Sequence, residues 1–307
     1  MTRVAIVANP SKPEVVDARP LLDEVCEQAG LERPLWLETT PEDPGVGQTR
    51  AALEQGADLV CAFGGDGTVR AVAEVLAGGD VPLGLLPGGT GNLLARALSL
   101  TADDVGDAMR VVLDGRDERV DVGVMRFDGD AREHVFLVMA GVGLDAETMA
   151  RTDERLKAAV GWPAYLLGGL RAAVGRGFTA HVQVAGATPV RRSAKAVVIG
   201  NSGRLQGGLE LMPDAQLDDG LLDVAVVAPR GLVGWVRTLV TVVRSGPGHR
   251  HLDRQQAPAV RVRVSRPVAA QLDGDPVGEF REVEARVRPG ALTVRVAHEA
   301  HEVRGHD

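Results

Sequence analysis

Cysteine, lysine and long apolar runs are all scarce in this chain of 307 residues. The two cysteines, Cys26 in a helix-like stretch and Cys61 in a strand-like run, cannot build a disulfide framework and have no metal-ligand spacing. Buried thiols in a reducing cytoplasm account for both. The three lysines, Lys12, Lys157 and Lys195, stand outside every glycine-rich turn, and no G-x-x-x-x-G-K-S/T run occurs. Any phosphate chemistry here is therefore not that of a P-loop. The longest apolar stretch, Gly231 to Val243, carries Arg237 and falls well short of the roughly 20 residues that span a bilayer. Val4 to Ala8 stops at Asn9-Pro10, too short for a signal-peptide core, and reads as a first strand. The formal net charge of -8 gives no field that favours nucleic acid, so no nucleic-acid partner is expected. The seven histidines show no ligand spacing beyond His249-x-His251, and read as solvated loop residues. Internal repeats and low-complexity tracts are absent.

Glycine, by contrast, is plentiful and locally concentrated. Gly64-Gly65-Asp66-Gly67-Thr68 follows the strand-like run Asp58 to Phe63 and precedes a helical pattern from Val69 to Leu76. Gly88-Gly89-Thr90-Gly91-Asn92 follows Val81 to Pro87 and precedes a helix starting at Leu93. A helix N-terminus leaves backbone N–H groups unpaired and carries partial positive charge, and glycines let a phosphate approach them closely. Two such turns can grip one polyphosphate. Ordinary strand-to-helix turns in an α/β sheet are the competing reading. Asp66 speaks against it, because a carboxylate beside a phosphate repels it unless a divalent cation lies between them.

Residues 1 to 122 alternate strand and helix patterns, with helices expected at Val15 to Ala29 and Gly47 to Gln55. This predicts an α/β nucleotide-binding domain on a mostly parallel sheet, with ligands at the carboxyl ends of its strands. From Val120 the pattern changes to strands, and residues 123 to 307 form the second domain, with patterns such as VDVGVMRF at its start, AKAVVIGN, LLDVAVVAP and VRVRVSR, interrupted by helix-like stretches at Asp153 to Val174 and Gly231 to Arg244. They predict a β-rich second domain, a β-sandwich with helices at its edge.

Seven segments in order resemble the diacylglycerol kinase catalytic family, which includes bacterial soluble lipid kinases and sphingosine kinases. They are the Asn9-Pro10-Ser11 turn, GGDGT at 64 to 68, LPGGTGNLLAR at 86 to 96, AGVGLDAET at 140 to 148, IGNSGRLQGG at 199 to 208, MPDAQLDDGLLDV at 212 to 224 and LDGDP at 272 to 276. The resemblance implies an ATP- and magnesium-dependent lipid kinase acting on the hydroxyl of a diacylglycerol-like lipid, with its active site in the cleft between the two domains. In the family the last strands pack back toward the first domain. NAD kinases share the GGDG loop, but their later segments have no match here. A non-catalytic nucleotide- or lipid-binding sensor on the same fold is the alternative from another class.

The resemblance also assigns residues. The nucleotide would be held by Asn9, by Gly64, Gly65, Asp66, Gly67, Thr68, Val69 and Arg70, and by Thr90. A threonine near position 40 would join them; Thr40 is taken over Thr39, with a plain surface turn as the competing reading. A structural Mg2+ would sit on Asp219 and the carbonyls of Gln216 and Leu221, where oxygen-only ligation suits that ion. Asp66 would connect through water and metal to the phosphates. The general base would be Asp275, where the family has glutamate; an ionised aspartate can do the same chemistry within hydrogen-bond reach. Arg70, Arg96 and Arg204 are candidates for phosphate charge. Lys157 to Arg176, with Trp162 and Tyr165 between basic flanks, reads as an interfacial element, against a core-packing helix with the same apolar face. The expected protein is cytoplasmic, peripherally associated with the inner face of the membrane, with a homodimer left open.

Overall fold

The computed structural model describes residues 2–89, 91–100, 104–143, 177–202, 212, 214–228 and 252–298. The chain divides into two compact units, one formed by residues 1–119 with 292–307 and the other by residues 120–291. Among the described residues no helix is long and apolar enough to cross a membrane.

The first unit alternates as its sequence periodicity demands. Its elements are β1 (Val4–Ala8), α1 (Pro13–Val16), α2 (Arg19–Gln28), β2 (Leu35–Glu38), α3 (Val46–Glu54), β3 (Leu59–Gly64), α4 (Asp66–Leu76), β4 (Leu83–Pro87), α5 (Leu93–Ala97) and α6 (Val105–Asp114). Strands β2, β1, β3 and β4 lie side by side and all parallel. Residues of the last strand of the chain extend the sheet beyond β4, with Val294 beside Leu83, again parallel. Strands buried on both faces need continuous apolar runs, and β1 and β3 are buried at every position. Val4, Ile6, Leu59, Cys61 and Phe63 pack with Leu22 and Val25 of α2 and Met109 and Val112 of α6. Each such side chain contributes about 1.5–3 kcal/mol by leaving water.

The helix expected over Val15 to Ala29 is two helices, separated at Asp17 and Ala18. Pro20 explains the break: it lies in the first turn of α2, where its missing N–H and fixed φ are tolerated, but it cannot continue a helix from α1. Burial lifts the Cys26 thiol to about 11 and pushes Cys61 up further, so both are held as inert thiols.

The second unit is built from strands among its described residues: β5 (Arg116–Phe127), which begins in the first unit, β6 (His134–Phe136), β7 (Met139–Val142), β8 (Phe178–Val184), β9 (Val190–Ala194), β10 (Ala196–Gly200), β11 (Leu222–Val227), β12 (Leu252–Ala257), β13 (Ala259–Leu272) and β14 (Asp275–Val296). The antiparallel series β12-β11-β10-β7-β13-β14 follows the sequence alternation: Val260 and Val262 are buried while Arg261 and Arg263 point outward to Glu282 and Glu284 of β14. Strand β13 pairs with β8 over Val260 to Val264 and with β7 over Ala270 to Leu272. Register shifts between Arg263 and Val268 and between Ala270 and Gln271 allow one long strand to serve both. Strands β9, β12 and β14 were not among the expected ones. The helix-like stretches at 153–174 and 231–244 lie outside the described residues.

Candidate active site

Three neighbouring strands of the first unit, β1, β3 and β4, run in the same direction, so their carboxyl ends lie together, and each ends in one of the motifs. After β1, the Asn9 N–H donates to the Phe63 carbonyl at 2.9 Å, which ties this turn to the end of β3. The Asn9 side-chain oxygen accepts from the Ser11 N–H at 3.0 Å and the Ser11 hydroxyl at 2.7 Å. The two glycine turns meet backbone to backbone. A Cβ on Gly88 would come within 2.9 Å of the Gly64 nitrogen and 3.0 Å of its Cα, so only glycine permits the approach.

Asp66 joins the two turns chemically. It opens α4, and its Oδ1 accepts from the Leu93 N–H at 2.6 Å, while a Cβ on Gly91 would collide with its Oδ2. The N-cap of α4 is Gly65, extended and with no side chain of its own to cap the helix, in contrast to α6, whose Asp104 accepts from the Asp107 N–H at 2.8 Å. The glycine-capped N-terminus of an eleven-residue helix is suited to an anion. Within this loop Thr68 and Val69 turn inward and are buried, their N–H groups donating to the Gly65 carbonyl at 3.0 and 3.1 Å. Gly65, Asp66, Gly67 and Arg70 are half-exposed.

One residue here was not picked out from the sequence. The Cε of Lys12 lies 3.8 Å from where a Cβ on Gly65 would stand, so the lysine side chain lies beside the GGDGT turn although it is 53 positions away in the chain. Its N–H donates to the Asn9 carbonyl at 3.1 Å. The available signal was its place directly after the Asn-Pro-Ser turn. Thr39 is buried at the end of β2, whereas Thr40 is exposed and its hydroxyl accepts from the Asp43 N–H at 3.1 Å, closing a surface turn. Thr90 and Arg204 lie outside the described residues.

The second unit carries the other candidates. Asp219 accepts from the Leu221 N–H at 2.9 Å. Burial, together with the negative charge of Asp121 and Asp218, pushes its carboxyl above the ordinary range despite that hydrogen bond. Asp223 is likewise raised, by burial first and then by Asp219 and Asp214, against a hydrogen bond from the Gln256 amide at 3.2 Å. Such crowded carboxylates are what a bound cation would relieve. No three acidic, histidine or cysteine side chains converge as a metal group among the described residues. A cation at this turn would thus depend on one carboxylate and main-chain oxygens, and the donor set of Asp219, Gln216 and Leu221 suits a hard ion such as Mg2+.

Beneath this turn lies a buried polar scaffold that the motif reading passed over. Asp121 accepts from the Gly220 N–H at 2.6 Å and the Gly290 N–H at 2.7 Å, and its own N–H donates to the Leu217 carbonyl at 2.6 Å. Asn201, fully buried, donates from its amide to the carbonyls of Asp121 at 2.8 Å and Leu137 at 3.0 Å. A charged residue inside the apolar run VDVGVM was the visible sign of it. Asp275 is half-exposed and is the first residue after the β13–β14 turn, paired with Leu272.

Comparison with known proteins follows these motifs. A model of the diacylglycerol kinase catalytic domain matches residues 3–125, and one of the YegS C-terminal NAD kinase beta sandwich-like domain matches residues 138–296. A Pseudomonas aeruginosa protein described as a probable lipid kinase YegS-like is 35% identical over 283 residues, covering 89% of this chain and 88% of its own. A Cronobacter sakazakii protein of the same description is 32% identical, covering 80% of each. A crystal structure described as a diacylglycerol kinase from Bacillus anthracis superposes with a TM-score of 0.76 at 22% identity, covering 96% of both chains. An Archaeoglobus fulgidus NAD kinase in complex with ATP superposes at 0.55 and 12% identity, covering 96% of this chain and 94% of its own. The two superpositions speak for a shared fold: an α/β domain followed by an NAD kinase-like β-sandwich. With both domain models in order along one chain, and relatives above 30% identity over most of its length, this protein belongs to the diacylglycerol kinase catalytic-domain family.

Proposed function

We propose that this protein is an ATP- and Mg2+-dependent lipid kinase that transfers the γ-phosphoryl group to the hydroxyl of a diacylglycerol-like lipid. The observation that supports this most is the convergence of the Asn9 turn and both glycine turns at three adjacent strand ends, around an α4 N-terminus whose cap is glycine. Phosphoryl transfer asks the protein for alignment, charge neutralisation and removal of one proton. Asn9 and the loop Gly64 to Arg70 hold the nucleotide, with Thr90 and Thr40 beside them. Thr68 and Val69 are buried, so they act by shaping the loop while Gly65, Asp66, Gly67 and Arg70 face the ligand. Asp219 and the carbonyls of Gln216 and Leu221 hold Mg2+, which when bound neutralises carboxylate charge and keeps this turn in one conformation. Asp275 accepts the proton of the lipid hydroxyl. The acceptor reaches the enzyme at the inner face of the membrane, where this cytoplasmic protein binds peripherally.

The test is transfer of label from γ-labelled ATP to a total lipid extract, with NAD offered as a competing acceptor and the product identified by mass spectrometry. A labelled phospholipid is expected; label in a dinucleotide, or nucleotide binding without transfer to any lipid, would replace this reading by the NAD kinase or sensor alternative.

Two expectations sharpen the assignment. Lys12→Ala should raise KM for ATP about tenfold with little change in kcat, since a charge-assisted bond to phosphate contributes about 1.5–3 kcal/mol. An unchanged KM would place the ammonium away from the phosphates. Asp219→Asn should abolish the rise in melting temperature that Mg2+ produces in the parent protein and lower activity in parallel, whereas Asp218→Asn should do neither. The reverse behaviour of the two variants would move the metal ligand by one residue.

A further inference from the structure

Asp273 is a buried carboxylate that the phosphoryl-transfer scheme leaves without a task. It is 5% exposed and sits two residues before Asp275. Its Oδ1 accepts from the N–H groups of Val138 at 2.8 Å and Met139 at 3.0 Å, and its Oδ2 from that of Leu137 at 2.9 Å. Its own N–H donates to the Met139 carbonyl at 2.7 Å. Four hydrogen bonds thus fasten one turn residue to residues 137–139, where the link from β6 enters β7, more than 130 positions away in the chain.

The turn it fastens has a demanding conformation. Asp273 has φ +49° and Gly274 φ +91°, both left-handed, as a two-residue type I′ hairpin requires. The Gly274 N–H donates at 2.6 Å to the side-chain oxygen of Gln271, itself 3% exposed. Exposed hairpin tips are ordinarily where a sheet is loosest. Here two buried side chains hold the tip from both sides, and the residue delivered at its end is Asp275.

We propose that Asp273 is a positioning residue for Asp275: through the amides of Leu137 to Met139 it fixes the turn from which the base reaches the lipid hydroxyl. The proposal rests on Asp275 accepting that proton. A base acts only within hydrogen-bond reach, and a displacement of about 1 Å can cost on the order of 100-fold in rate. A loosened turn would leave ATP binding intact and misdirect the proton acceptor.

The test is a double-mutant cycle on the full chain, read as kcat for lipid phosphorylation and KM for ATP, with the melting temperature of each protein as a control. Asp273→Asn replaces one acceptor oxygen with an amide that faces a backbone N–H. It should lower kcat about 10-fold and leave KM for ATP within about twofold. Added to Asp275→Asn, it should change the remaining rate by less than about twofold, because no base is left to position. Unchanged kcat in Asp273→Asn, or the same loss in the Asp275→Asn background, overturns the proposal in favour of a purely structural carboxylate. If Asp273→Asn does not fold, Gln271→Met, which removes the acceptor for Gly274, takes its place in the same cycle. It is then expected to lower kcat about threefold to tenfold under the same criteria. Full activity in Asp275→Asn alone would remove the base assignment first, and is thereby distinguished from a failure of the positioning role.

Discussion

Asp66→Ala is expected to reduce phosphoryl transfer by about 100- to 1,000-fold, the scale on which removal of one group that stabilises transition-state charge is felt. Two tasks of this residue are removed together in the alanine variant. One belongs to the proposed function and is electrostatic: the carboxylate would organise cation and water beside the phosphates. The other is mechanical, since Oδ1 accepts the Leu93 N–H and ties the GGDGT turn to the second glycine turn. Asp66→Asn separates them, because the amide keeps an oxygen for Leu93 and loses the charge. If charge dominates, the asparagine variant should be nearly as inactive as the alanine variant, with an unchanged melting temperature. Near-parental rates in Asp66→Asn would assign the residue to holding the turns together, and near-parental rates in both would take it out of the chemistry.

Asp275→Asn should slow the chemical step by about 100-fold or more, within the usual range for loss of a general base. ATP binding should persist, measured with a fluorescent nucleotide, because the substitution keeps the size of the side chain after the Asp273-Gly274 turn. Asp275→Glu restores the residue found in the resembled family and carries the carboxylate about 1.5 Å further, one carbon–carbon bond. It should retain measurable activity and shift the preference among lipid acceptors. A parental rate in Asp275→Asn would mean that another group, or the phosphate itself, takes the proton.

The order of elements in the first unit was legible because apolar runs and glycine turns are local signals. DLVCAF followed by GGDGT can be little else than a buried parallel strand entering a helix, and β3 and α4 follow it closely. In the second unit VRVRV announced its alternation, and Val260 and Val262 are buried accordingly. Strand β14 was not legible. Its sequence contains Pro276, Gly278, Pro289 and Gly290, which read locally as breakers; Pro276 and Gly278 are accommodated where the pairing with β13 shifts register between Ala270 and Gln271. Strand β12, LDRQQA, has almost no apolar signal; its pairing with β11, Leu222 beside Ala257, places it in the sheet.

The sequence by itself determined the family and the two domain types, because its apolar runs and short glycine-rich motifs are local signals that lie in order along the chain. Only the tertiary structure decided which distant residues serve them. Lys12 reaches Gly65 because β1 and β3 are parallel neighbours whose carboxyl ends lie side by side. Asp121 and Asn201 support the Asp219 turn, and Asp273 secures Asp275 to Leu137 through Met139, across separations that no local pattern records. A carboxylate in an apolar run signals that it must find partners once buried, but the identity of those partners is set by strand register, a property of the folded sheet.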